Sequence, residues 1–196
     1  MNSGAAPQSR RVQMGFFDIF KGGDKKTDQG PDVTGGLTLA KLQPGWMVDY
    51  DLKTWEVKAH HTYDWSEGDL THEWQLVSGD AIIYLELEHD DVDDWSLNSL
   101  IDFSRLGQGV KTAIQQTGDP PKTIVLDGVT YYMEEMAGGS FLKNTQGPGQ
   151  NLLRWSYEDD DGEKYLTIEQ WGEDEFQAYL GFFVEEYQFT DILPAA

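Results

Sequence analysis

The chain carries one pattern nearly twice. Trp74 is followed ten residues later by the pair Tyr84-Leu85 and then by Glu88, and Trp155 is followed at the same intervals by Tyr165-Leu166 and Glu169. A repeated unit folds the same way each time, so self-similarity limits architecture more tightly than composition does. A shift of 81 residues also places Leu76 on Tyr157, Leu87 on Ile168 and Trp95 on Phe176. Upstream, a shift of 76 places Asp51 on Asp127, Trp55 on Tyr131 and Val57 on Met133. The second copy therefore holds five extra residues before its Trp, within residues 142–150, where Gly147-Pro148-Gly149 has the composition of a surface loop. Downstream, Phe103-Ser104-Arg105-Leu106 echoes Phe189-Thr190-Asp191-Ile192.

Both copies read as short antiparallel strands. In the first, residues 46–50, 55–63, 72–76 and 81–88 are rich in β-formers and separated by Ser66-Glu67-Gly68-Asp69 and Ser78-Gly79-Asp80 turns. Residues 95–103 fit a strand or an amphipathic helix, and residues 105–116 fit a short helix ending near Gly118. Asp119-Pro120-Pro121 is a rigid connector. In the second copy the strands are 124–126, 130–136, 152–157, 164–171 and 176–189, with Asp127-Gly128 and Asp161-Gly162 as tight turns. The fold class is thus mainly β: tandem duplicated antiparallel units of four to five strands, packed as a pseudo-symmetric sandwich or as partly open barrels. The first unit spans 37–118 and the second 119–196. Trp55, Trp74, Tyr84 and Trp95 are the expected core anchors of one unit, and Tyr131, Trp155, Tyr165 and Phe176 those of the other.

Residues 1–36 have the composition of a disordered tail, apart from a short apolar hook of Phe16, Phe17, Ile19 and Phe20. That hook is a candidate for docking on a partner groove or, peripherally, on a membrane surface. No apolar run reaches the roughly 18 residues of a membrane span. No apolar stretch of a secretory signal follows Arg10-Arg11, and the expected setting is cytoplasmic.

The net charge is −21. Residues 37–196 carry nine Lys or Arg against 31 Asp or Glu, so the folded part repels phosphate backbones and excludes nucleic acid as a partner. The same field attracts basic proteins and polyamines. With no cysteine, the chain has no disulfide, no thiolate metal site and no cysteine nucleophile.

No catalytic constellation emerges. His60 and His61 are adjacent on a strand and point to opposite faces, whereas His72 and His89 can meet across a hairpin, near Asp90 or Asp91. The runs at 89–94 and 158–163 lack the ligand spacing of a calcium loop and read as polar turns. Glu88 and Glu169 are matched carboxylates read as strand ends facing water. No cofactor and no metal site is assigned.

A family resemblance rests on short packing motifs. Leu42-x-x-Gly45 leads into Val48-Asp49-Tyr50 and Trp55-Glu56-Val57, then Tyr63-Asp64-Trp65 and Glu73-Trp74-x-Leu76. Tyr84-Leu85-Glu86-Leu87-Glu88, Asp127-Gly128-x-x-Tyr131 and Leu166-x-Ile168-Glu169 follow. Over about residues 37–193 the chain resembles the bacterial domain-of-unknown-function family numbered four-one-seven-eight. The resemblance implies an uncharacterised, largely β domain, often encoded near polyamine-synthesis enzymes, small membrane proteins and phage-shock-type coat proteins. It implies no catalytic residue. The expected function is a non-enzymatic accessory or binding module whose acidic surface meets a basic protein. The alternative is a polyamine-type cation binder or an enzyme linked to polyamine metabolism.

Overall fold

The computed structural model describes residues 36–89 and 93–195. The strands are β1 Met47–Tyr50, β2 Lys53–Ser66, β3 Asp69–Ser78, β4 Ala81–His89, β5 Asp93–Ile101, β6 Thr123–Leu126, β7 Val129–Leu142, β8 Gln150–Asp159, β9 Lys164–Gln170, β10 Phe176–Val184 and β11 Thr190–Leu193. One helix, α1 Gln108–Thr117, lies between β5 and β6 and ends on left-handed Gly118. Residues 95–101 are strand, so of the two readings for that segment the strand is the one formed. β10 stops at Val184, and a 3-10 turn at Glu186–Gln188 occupies part of what reads in sequence as continued strand.

All pairings are antiparallel. The sheet order is β11-β1-β2-β3-β4-β5-β10-β9-β8-β7-β6, and a further pairing of β2 with β7 closes the eight strands from β2 to β7 into a barrel. Each half contributes a four-stranded meander, β2–β5 or β7–β10. A short strand precedes each meander, β1 on the edge of β2 and β6 on the edge of β7.

The ladders match residue for residue. Val48 faces Trp55 as Ile124 faces Tyr131, and His60 faces Trp74 as Met136 faces Trp155. Both long strands carry a bulge at the same place, between Val57 and Ala59 and between Met133 and Glu135. At the β3–β4 turn the correspondence slips in one strand. Trp74 faces Leu85 whereas Trp155 faces Ile168, because the loop of residues 160–163 is two residues longer than that of 79–80, so the counterpart of Leu85 is Ile168, not Leu166. The next loop restores the shift of 81: Leu87 faces Trp95 as Gln170 faces Phe176, and Trp95 and Phe176 are counterparts. With these equivalences the pair Asp64·Ser140 maps onto itself, and so does Ser99·Leu180. An approximate twofold axis therefore crosses the barrel through its two seams and exchanges its two mouths.

The apolar faces of the two meanders do not meet. Each points outward and is covered locally. Trp74, Leu76, Leu85, Leu87 and Trp95 pack under Leu39, Leu42, Val48 and Phe189. Trp155, Tyr157, Leu166, Ile168 and Ala178 pack under Ile124, Leu126 and the α1 residues Val110 and Ile114. Each Trp is pinned to the segment ahead of its half: Trp74 Nε1 donates to the Leu42 carbonyl at 2.9 Å and Trp155 Nε1 to Asp119 Oδ1 at 3.2 Å. Tyr84 and Tyr165, expected as core anchors, stand on the opposite, inward face, since Tyr84 pairs with Asn98 and Tyr165 with Gly181. Phe176 is only half-buried. Glycines make room at both seams: a Cβ on Gly139 would overlap the Trp65 ring, and one on Gly181 would overlap Tyr165.

Candidate functional site

Strand alternation that sends apolar side chains outward sends their neighbours into the barrel, and those neighbours are polar. Thr71, Glu73, Ser96, Asn98, Thr167 and Glu169 are buried there. At the centre Arg154 on β8 reaches Glu169 Oε1 from Nη2 at 2.7 Å and from Nε at 3.0 Å, and both Glu86 oxygens at 3.3 Å. Its guanidinium lies 4.2 Å from the Tyr63 ring centroid and 5.0 Å from that of Trp65, on two rings stacked nearly parallel. The Tyr63 hydroxyl donates to Glu73 Oε2 at 3.3 Å, and Trp65 Nε1 donates to Thr71 Oγ1 at 2.8 Å.

One guanidinium stands among three carboxyl groups and bonds two of them, Glu86 and Glu169. Burial opposes the charge on Arg154, but Glu86 and Glu169 hold it protonated. Burial, with the charges of Glu86 and Glu169, pushes the Glu73 carboxyl well above its ordinary range. Burial also raises Glu169, even against the pull of Arg154. Glu169 Oε2 has no hydrogen-bond partner among the described residues.

Towards one mouth the lumen face becomes strongly acidic. Asp69, Glu88, Asp94, Glu135 and Glu158 all stand on inward register positions there. Glu88 is pushed up to about 8, first by burial and then by Asp69, with Glu86 and Glu135 adding repulsion against the pull of Arg154. Glu135 is raised by burial and by Asp69, and Glu158 to about 7 by burial, Glu134 and Asp159. At the opposite mouth the equivalent positions, in the same order, are Gln150, Trp171, Glu175, Ala59 and Val77. Five carboxylates at one end thus answer to one at the other, the exposed Glu175. An open crevice of 440 Å³ follows the β2–β7 seam, but Asp64 is the one charged residue in its wall.

The histidines divide as strand geometry requires. His61 turns inward and accepts from the Asn144 backbone N–H at 3.0 Å, while His60 turns outward and stacks on Trp74 at 4.6 Å. His72 and His89 do approach, with ring centroids 6.2 Å apart, but the nearer partner of His72 is His60, at 3.1 Å between ring nitrogens. His89 is taken up by Asp93 at 2.6 Å. Asp90 and Asp91, named with it in sequence, fall outside the described residues, as do Phe16, Phe17, Ile19 and Phe20. The run at 158–163 forms a turn in which Asp159 Oδ1 accepts from the N–H groups of Glu163 and Lys164. Glu88 and Glu169, read as water-facing strand ends, are instead inward and buried in large part. Sequence reading also missed Arg154, Glu73 and Glu86. The available signal was the Glu-x-Glu alternation of Leu85-Glu86-Leu87-Glu88, which looks the same whether the polar face meets water or a lumen.

The profile of the family described as a domain of unknown function, DUF4178, matches residues 43–186. A relative from Aquifex aeolicus (strain VF5), named "Uncharacterized protein", is 26% identical over 182 residues, covering 92% of this chain and 99% of its own. No solved structure matches. With the profile spanning well over half its length, the chain belongs to the DUF4178 family.

Proposed function

We propose that this member of the family is a non-enzymatic, cytoplasmic binding module that receives a cationic group at the acidic mouth of its barrel. The contrast between the two mouths carries the reading. The halves match in ladder, bulge and core, and we read them as a duplicated unit. A demand of the fold itself would act on both ends alike. Carboxylates massed at one end repel one another and cost stability until a cation offsets them. The natural partner is a basic segment of another protein, guided by the acidic surface around the mouth, with the hook of Phe16, Phe17, Ile19 and Phe20 as a second point of attachment.

One observation favours a polyamine as the alternative guest. The lumen already holds a cation, Arg154, between carboxylates and the faces of Tyr63 and Trp65, so its wall is suited to ammonium chemistry.

Calorimetry at about 0.15 M salt, where long-range attraction is screened, tests both guests. A lysine-rich peptide and spermidine are each titrated into the full chain. Saturable binding is expected for one of them, weakened roughly three- to fivefold by Glu88→Gln or Glu135→Gln and unchanged by Glu56→Gln at the opposite end of the barrel. Equal loss for all three variants, or heat that never saturates, contradicts a site at the mouth.

A further inference from the structure

The outer face of the first half carries a feature that the cation-binding mouth does not use. His60 on β2 and His72 on β3 direct ring nitrogens at each other, Nε2 to Nδ1, at 3.1 Å. His60 lies flat on Trp74, with ring planes 12° apart, which fixes its orientation. His89 stands edge-on to His72 on the far side and is held by Asp93. Both members of the pair are partly exposed, so the gap between them is open to solvent.

The second half shows that the fold does not need histidine here. By the ladder equivalences, His60 and His72 correspond to Met136 and Leu153, and His89 to Gly172 in the loop after β9. Met136 and Leu153 are exposed apolar side chains on the same outer face, over Trp155 as the histidines lie over Trp74. Packing is served as well by a thioether and an isobutyl group. Paired imidazoles add something packing does not require: two nitrogen lone pairs at ligand spacing.

We propose that His60 and His72 form a two-imidazole chelate for a divalent transition ion such as Zn²⁺, Ni²⁺ or Cu²⁺. Two nitrogens bound tetrahedrally at ordinary zinc–nitrogen lengths stand about 3.3 Å apart, close to the separation seen. In the metal-free pair one imidazole donates its ring proton to the other. Binding needs a tautomer change, with the donor's proton moved to its outer nitrogen, and no net loss of a proton from the neutral pair. Burial, together with the neighbouring rings, keeps both neutral, with His60 lowered to about 4. Among the described residues no cluster of three ligands exists, so water completes the shell, and micromolar affinity is expected rather than that of a closed structural site.

The test uses the full chain without a purification tag, in excess Mg²⁺ to occupy the carboxylates, since hard cations prefer oxygen. Zn²⁺ is titrated while imidazole nitrogens are followed by NMR, and Ni²⁺ while Trp fluorescence is followed. One equivalent should shift His60 Nε2 and His72 Nδ1 and leave His61 unmoved. His60→Gln and His72→Gln should each weaken Ni²⁺ binding at least roughly tenfold, and the inward-facing His61→Gln should not. Zn²⁺ that leaves both imidazoles of the wild-type protein unshifted overturns the proposal whatever the variants do. So does equal weakening by His60→Gln and His61→Gln.

Discussion

Trp74 and Trp155 do the same work, whereas the residues just before them, Glu73 and Arg154, do opposite work. Both tryptophans are almost wholly buried on outer faces, each pinned by its indole N–H to the segment that covers its half. Glu73 and Arg154 occupy equivalent inward positions, yet one is a carboxyl whose ionisation burial opposes and the other the guanidinium that binds Glu86 and Glu169. Outer faces are bound by packing, which both halves satisfy in the same way. Inner faces meet each other across the axis, so like must be answered by unlike there. Carboxyl groups gather on the inward positions of one mouth and not of the other, which is why the proposed function is placed there.

The largest expected effect separates the two inward positions. Arg154→Met leaves Glu86 and Glu169 buried without a counter-charge and should cost about 3–5 kcal/mol in urea unfolding. Glu73→Gln removes a carboxyl whose ionisation is already opposed by burial and by Glu86 and Glu169, and should cost under about 1 kcal/mol. Equal costs would mean that the lumen is wet enough to solvate either side chain.

A second pair separates the two tryptophans. Trp74→Phe strands the buried Leu42 carbonyl and should cost about 1–3 kcal/mol. Trp155→Phe should cost less, because its acceptor Asp119 is exposed and turns to water. The reverse order would move the weight of the molecule to its second core.

Glu88 supplies a comparison across pH. Its folded-state value, about 8, lies above its ordinary 4.5, so the folded chain binds a proton that the unfolded chain releases. Stability from this group is therefore fully present below pH 4.5 and is lost as pH rises towards 8. Glu88→Gln should match wild type in acid and exceed it by about 1–2 kcal/mol at high pH, after allowance for solvent screening. Thermal unfolding across that range reads the difference, and parallel curves would deny the mouth its repulsion.

The smallest effect lies in two tight turns. Leu52 and Gly128 occupy equivalent positions with φ of 59° and 81°, and Leu52 is fully exposed. Leu52→Gly should stabilise, and Gly128→Leu destabilise, by about 1 kcal/mol each, because a side chain in left-handed backbone is strained. Chemical denaturation midpoints with unchanged slope would show it.

How much of this was legible depended on whether the signal was local. Trp74 and Trp155, the Asp51 and Asp127 turns and the strand at residues 95–101 are set by neighbours in sequence, and alternation with turn residues found them. Seam pairings such as Asn98 with Gly181 and Asp64 with Ser140 join residues more than 70 positions apart, and nothing local announces them. Without the seams, the polar face of each meander looks like a wet surface, so Glu88 and Glu169 read as solvated, and Tyr84 and Tyr165 read as core. Leu87 was paired with Ile168, whose ladder counterpart is Leu85, because loop length, unlike strand length, is set by nothing in the pattern. His60 and His72 lie 12 residues apart and meet only because a hairpin folds one over the other.

Carbon-13 NMR of the glutamate carboxyls tests the acidic mouth most directly, by following each group through its titration with and without spermidine. The account predicts that Glu88 titrates near 8 and that bound amine draws it down towards 4.5, while Glu169, at the centre of the barrel and already held by Arg154, does not respond to the ligand. A Glu88 that titrates near 4.5 from the outset and ignores the amine would contradict it.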